Sequence, residues 1–223
     1  MKNPHSHNWD NFWKKNPTDK QKSISWSKRR ILCVIEPYTE KGKRILDAGC
    51  GSGFFSKYFL DQGLQVVSLD YSDQALELTR RMTEGAVRVI KQDLLSQDVS
   101  KTVGEKFDII FSDGLLEHFA FQEQCQMLKN FSSLLKDKGI LLTFVPNRWS
   151  PWELMRPFFM PGIGETPFML KNLVHLLSRN GFSILQAGGI NVLPFSFSPD
   201  QILGSSFGML LYAIARKNVP SIR

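Results

Sequence analysis

The residues best suited to chemistry cluster between Arg44 and Phe59, which read RILDAGCGSGFFSKYF. A short apolar run, Ile45 and Leu46, carries an acid at its end, Asp47. The chain then passes through Gly49, Gly51 and Gly53 before apolar residues resume at helical spacing. This is the pattern of a strand, a glycine turn and a helix. Three glycines permit positive φ and leave no Cβ in the way of a ligand, while the amides at the start of the following helix favour a negative group. Such a turn binds a nucleotide-like ligand. Dinucleotide-binding turns are spaced G-x-G-x-x-G, with an acid about 20 residues further on. Here the spacing is G-x-G-x-G, and an acid, Asp47, already stands inside the strand end.

Two further positions carry chemistry of their own. Asp70 ends the run from Gln65 to Leu69, seventeen residues past Gly53, where a carboxylate can accept hydrogen bonds from both hydroxyls of a ribose. It could equally cap the next helix or sit in an exposed turn, but its being in step with the glycine motif favours the ribose. His118, with an ordinary pKa of roughly 6.5, could take a proton from a hydroxyl nucleophile. It could also anchor its loop through hydrogen bonds, and that reading is preferred. His5 and His7 have no further ligands near them in sequence and His175 falls within a helical pattern, so no metal site is expected.

Positioning these groups calls for alternating strands and helices. Trp9, Phe12 and Trp13 give one short helix an aromatic face ended by Pro17, and residues 25 to 36 predict a second, closed by Pro37. Strands are predicted at Gln65 to Leu69, Ala86 to Lys91, Phe107 to Ser112, Ile140 to Val145, Phe182 to Gln186 and Phe207 to Ala215. A core helix carries Leu128, Phe131 and Leu135, and another carries Leu170, Leu173, Val174 and Leu177. Two stretches, 147 to 168 and 191 to 206, are predicted to be irregular. Pro151, Pro157, Pro161 and Pro167 interrupt the first, which is rich in large apolar groups that are expected to line a cavity. The competing reading of that stretch is a loop that caps the sheet or packs on another subunit.

LDAGCGSG closely resembles the first motif of the class I S-adenosylmethionine-dependent methyltransferases. The resemblance covers residues 43 to 217. It implies a Rossmann-like α/β fold with a seven-stranded, mostly parallel sheet, an antiparallel last strand and helices on both faces. It places Asp47, Gly49, Cys50 and Gly51, with Gly53 in the same turn, at the methionine end of the cofactor. Asp70 falls at the ribose, Tyr71 against the adenine, and Asp93 and Leu94 at the family's adenine-binding corner, although an Asp before two leucines is by itself a commonplace turn. Ser112, Asp113 and Gly114 fall beside the methyl donor. The triplet Leu116, Glu117, His118 resembles one common among methyltransferases of small metabolites, and the Asn/Asp-Pro-Pro-aromatic tetrad of the amide and adenine-nitrogen enzymes is missing. The expected reaction is methyl transfer from S-adenosylmethionine, yielding S-adenosylhomocysteine, to a small, apolar or aromatic acceptor, with His118 as the candidate base and no metal.

The length suits a single domain: residues 1–42 as a helical cap, 43–145 as the cofactor-binding half, and 146–168 and 190–206 as substrate-side insertions. Of the 28 Lys and Arg, eleven lie in residues 1–44 against four acids, while residues 45–223 hold seventeen of each sign. A basic leader could meet nucleic acid or an anionic membrane, which keeps an RNA or protein methyltransferase as an alternative; a solvated helix face is the plainer reading. A non-catalytic cofactor-binding module is the third alternative. No apolar run is long enough to span a membrane and no signal-peptide core is visible. Three dispersed cysteines suggest reduced thiols, so a cytoplasmic location is expected.

Overall fold

A computed structural model describes residues 6–15, 24–159 and 164–219. Pro17, His5, Met160 and Pro161 lie outside the described residues. The chain opens with α1 (Ser6–Lys15) and α2 (Trp26–Ile35), the latter capped by Ser25, whose side chain accepts from the Lys28 amide. As expected, α2 ends just before Pro37, which sits in a 3-10 turn, Glu36–Tyr38, where its fixed φ is compatible.

Five strands alternate with helices: β1 (Arg44–Ala48), α3 (Phe54–Asp61), β2 (Gln65–Asp70), α4 (Asp73–Met82), β3 (Arg88–Lys91), α5 (Val99–Val103), β4 (Phe107–Asp113), α6 (Phe121–Leu134) and β5 (Leu135–Pro146). Then follow α7 (Trp152–Phe159), α8 (Leu170–Arg179), β6 (Phe182–Ile190), α9 (Asp200–Phe207) and β7 (Leu210–Lys217). The strands form one seven-stranded sheet in the order β3-β2-β1-β4-β5-β7-β6. β1 to β5 pair in parallel, and β7 runs antiparallel to both β5 and β6. The order reverses between β1 and β4, which opens a crevice at the carboxyl ends of these strands, the usual ligand site of such a sheet.

Each face of the sheet buries its own core, because successive side chains of a strand alternate between faces. Leu46, Ile110 and Leu141 pack with Leu128 and Phe131 of α6 and Leu173 and Leu177 of α8. On the other face Ile45, Phe111 and Phe144 meet Ile31 and Ile35 of α2 and Phe55 and Phe59 of α3. Here Phe59 and Phe111 approach edge to face at 5.2 Å. Truncating either ring would cost about 3–5 kcal/mol.

Three local expectations are corrected. Residues 152–159 are helical rather than irregular, with Pro157 inside α7; near the end of so short a helix a proline forfeits a single bond to a carbonyl four residues back. The second irregular stretch contains α9, and Phe207 ends that helix instead of opening β7. Leu135 begins β5, with Lys138 at φ 62 in the bulged turn that follows.

Candidate active site

A cavity of about 450 Å³ lies over the carboxyl ends of β1 to β4, a size suited to a nucleoside-sized ligand. Its floor is built from strand ends that each deliver an acid. Asp47 of β1, Asp70 at the end of β2, Asp93 just past β3 and Asp113 at the end of β4 all line it.

Burial dominates the electrostatics. Asp47 is 2% exposed, and its Oδ2 accepts from the Ser56 hydroxyl at 2.6 Å. Desolvation, aided by the charges of Asp70 and Asp113 and opposed by the Ser56 bond, pushes its carboxyl up to about 7. Burial likewise lifts Asp113 to about 7, opposed by the nearby charge of Lys28. The Lys28 ammonium lies 4.0 Å from the centre of the Phe54 ring, and burial lowers its pKa.

The glycine turn folds as the sequence suggests, with Gly49, Gly51 and Gly53 at φ 76°, 52° and 78°. Its amides, however, face the protein. Gly49 and Cys50 both donate to the Leu69 carbonyl, at 2.8 and 3.2 Å, and Gly51 donates to Asp70 Oδ2 at 3.0 Å. The turn is thus latched to the end of β2, and these three donors are already engaged. Asp70 accepts a second backbone bond, from Ser72, at its Oδ1. Cys50 is buried with Sγ 3.3 Å from Thr79 Oγ1, and burial pushes its thiol up.

Of the residues singled out in the sequence, Asp47, Gly49, Cys50, Gly51, Asp70, Tyr71, Asp93, Leu94, Asp113 and His118 share this cavity. Two stand off its wall. Ser112 is wholly buried and donates to Thr143 Oγ1 at 2.9 Å, its partner in the β4–β5 register. Gly53 is the N-cap of α3, and a Cβ there would come within 2.7 Å of the Thr79 backbone, so the close packing there requires glycine. Asp93 holds its own corner by accepting from the Leu95 amide at 2.9 Å, and the buried Leu94 offers its carbonyl to Asn130 at 2.7 Å.

Two segments roof the cavity. From α1, Trp13 lies directly over Gly51, and a Cβ on that glycine would sit 2.6 Å from its ring. Trp9 meets the His118 ring edge to face at 4.9 Å, and Asp10 accepts from the Ser72 hydroxyl, tying α1 to the start of α4. From the segment after β5 come Trp152, Arg156 and Glu165. Arg156 Nε stands 3.1 Å from Glu153 Oε2 and 3.5 Å from Glu165 Oε2. The large apolar groups of this segment divide: Trp152 faces the cavity, whereas Trp149, Leu154 and Met155 are exposed.

The sequence reading missed Lys28, Arg156 and Glu165. For Lys28 a signal existed, since 28, 31 and 35 fall on one helical face and Ile31 and Ile35 are fully buried. The consecutive basic residues Lys28, Arg29 and Arg30 are thereby dispersed: Lys28 faces the cavity, Arg29 stacks on Trp26 at 5.4 Å, and Arg30 pairs with Asp200 at 3.2 Å. Arg156 and Glu165 lack any such signal. Among the described residues, no group of three or more potential ligands could hold a metal ion, and no helix is long and apolar enough to cross a membrane.

A model of the methyltransferase domain family fits residues 23–187, and the chain belongs to that family. It is 29% identical over 134 residues to the ubiquinone biosynthesis O-methyltransferase of Coxiella burnetii, an alignment covering 60% of this chain and 56% of the relative. The corresponding protein of Bartonella quintana is 25% identical over 181 residues, covering 76% and 72%. The chain therefore spans little more than half the length of the Coxiella relative. Solved structures of like fold include a TehB-like S-adenosylmethionine-dependent methyltransferase from Corynebacterium glutamicum, with a TM-score of 0.63 at 21% identity over 97% of this chain and all of that one. Another is magnesium protoporphyrin IX methyltransferase from Synechocystis with bound S-adenosylhomocysteine, with a TM-score of 0.61 at 19% identity over 85% and 80%.

Proposed function

We propose that the chain is an S-adenosylmethionine-dependent methyltransferase whose acceptor is a small hydroxylated molecule with an apolar or aromatic body. The observation that carries this reading is the convergence of Asp47, Asp70, Asp93 and Asp113, one from each of four neighbouring strand ends, on a single cavity. The residues fit such a cofactor. Asp47 and Asp113 receive its ammonium and Lys28 balances its carboxylate. Asp70 accepts from the ribose hydroxyls while latching the turn, and Tyr71, Leu94 and Leu115 offer apolar surface to a purine whose amine reaches Asp93. Gly49 keeps this wall thin, since a Cβ there would sit 3.2 Å from Leu115 Cδ1.

When bound, the cofactor supplies an activated methyl group, so the protein's task is positioning and the exclusion of water. The tryptophans of α1 and Trp152 roof the cavity for that purpose. An O-methylated product is supported by the names of the Coxiella and Bartonella relatives, and an aromatic acceptor by Trp9, Phe12, Phe119 and Trp152 on the cavity wall. In this reading residues 1–42 act as the cap, 43–145 as the cofactor half, and 146–168 and 190–206 as the acceptor side. The dispersal of Lys28, Arg29 and Arg30 speaks against a basic track for RNA.

Calorimetry with S-adenosylmethionine and NAD tests the cofactor, and turnover on metabolite, RNA and protein extracts tests the acceptor. Binding of the first ligand alone, with S-adenosylhomocysteine formed only on metabolites, is expected. Tight NAD binding without S-adenosylmethionine would refute the reading, and cofactor binding without product on any extract would support a non-catalytic module.

A further inference from the structure

Between the acids of the strand ends and the charged segment after β5 stands Glu117, in the 3-10 turn Leu116–His118. It lines the cavity, is 3% exposed, and among the described residues its buried Oε2 has no hydrogen-bond partner. An unpaired buried carboxyl oxygen costs stability, and such groups concentrate where a ligand completes them. His118 is differently placed. Its Nδ1 lies 3.0 Å from the Gly164 carbonyl, a contact that requires Nδ1 to carry the proton. Its Nε2 faces Glu117 Oε1 at 3.9 Å, and Trp9 meets its ring edge-on.

We propose that Glu117 is the catalytic residue that takes the acceptor's hydroxyl proton, and that His118 is a positioning residue that ties the segment after α7 to the turn. This rests on the methyltransferase reading above. In the step, the acceptor's O–H proton passes to Glu117 Oε2 as its oxygen bonds to the methyl carbon. The carbon–sulfur bond breaks, its electron pair stays on sulfur, and the sulfonium becomes a neutral thioether. A second contact supports the positioning role: the Thr166 amide donates to the Glu117 carbonyl at 2.8 Å, so the same segment is pinned to both residues.

The groups around Glu117 tune it. Burial, with the charges of Glu165, Asp113 and Glu153, holds its carboxyl well above the ordinary range. Arg156, paired to Glu153 and Glu165, and a protonated His118 would act in the opposite direction. Such a carboxylate is a stronger base than an exposed one, and its action requires that it be ionised, so turnover rises with pH through its titration.

The test uses the full chain saturated with S-adenosylhomocysteine and 4-nitrophenol as an acceptor probe, at a pH below the probe's own pKa. The wild type is expected to bind the probe as the phenolate, read by its visible absorbance. Glu117→Gln should bind it as the neutral phenol, Glu117→Asp should restore part of the phenolate, and His118→Asn should keep the phenolate while weakening affinity. With a hydroxylated acceptor from the extract screen, Glu117→Gln should lose about 10²-fold or more in kcat and lose the acid limb of its pH profile. Phenolate in Glu117→Gln, phenolate lost only in His118→Asn, or no probe binding to the saturated protein would overturn the proposal. Failure to bind S-adenosylhomocysteine would instead overturn the function on which it rests.

Discussion

Asp70 Oδ2 accepts the Gly51 amide at 3.0 Å across nineteen residues of sequence, so the acid that closes β2 also fixes the conformation of the glycine turn after β1. Its second oxygen takes the Ser72 amide at the start of α4. One carboxylate therefore holds three segments of the cavity in register while presenting its remaining lone pairs to a ligand.

Asp70→Ala is expected to weaken S-adenosylmethionine binding about 10- to 100-fold, the equivalent of one or two charged hydrogen bonds. Asp70→Asn, which keeps an acceptor for Gly51, should lose less. Calorimetry on both variants measures this, and equal affinity in Asp70→Ala and wild type would remove Asp70 from the site.

Gly51→Ala places a methyl against Trp13, 2.6 Å from its ring, at a backbone φ of +52°. The strained backbone costs roughly 1–2 kcal/mol, and α1 must move off the turn. Ligand affinity should fall and Trp13 should become more accessible to a fluorescence quencher. In Trp13→Ala the same glycine substitution should cost only the backbone strain, and the difference is a double-mutant coupling. Gly53→Ala differs in kind, because its Cβ meets the Thr79 backbone at 2.7 Å and no side-chain truncation relieves it. Its deficit should appear in denaturant midpoint.

Asp47 couples binding to stability through pH. Its folded carboxyl titrates at about 7 against 3.8 for the free group, so between those values the unfolded chain is ionised while the folded one holds its proton. Stability of the ligand-free protein therefore declines as pH rises from about 4 to about 7 and levels off above. Asp47→Asn removes this contribution, and its advantage over wild type should grow across that window to on the order of 4 kcal/mol above pH 7. Urea unfolding at pH 5, 6, 7 and 8 measures the trend. Cofactor affinity should move in the opposite direction, since the variant lacks the charge that receives an ammonium.

Arg30 pins the cap to the far edge of the sheet. Its guanidinium donates to Asn191 Oδ1 at 2.7 Å and the Leu193 carbonyl at 2.9 Å, and pairs with Asp200 at 3.2 Å. Arg30→Ala should raise amide exchange in α2 and in residues 191–200, and destabilise by roughly 2–4 kcal/mol. Lysine should not rescue it, because a point charge cannot reproduce a planar fork.

How much of this was legible in the sequence follows from what kind of signal each feature leaves. Strand ends, the glycine turn and the order of the acids are local patterns, set by backbone sterics and side-chain periodicity, and Asp47, Asp70, Asp93 and Asp113 could be picked out residue by residue. The sequence alone also determined the family-like α/β order of elements. What it could not determine is where a hydrogen bond goes once elements meet. The resemblance places Gly49, Cys50 and Gly51 at the cofactor, yet the parallel pairing of β1 with β2 turns their amides onto Leu69 and Asp70. Ser112 looked like a site residue, but the alternation of β4 points its hydroxyl at Thr143 in the next strand. Arg156 and Glu165 stand nine residues apart in a proline-interrupted stretch, and their pairing beside the cavity depends on how that stretch folds. Local pattern fixes which residues stand at the strand ends; only packing between distant segments decides which of their polar atoms remain for chemistry.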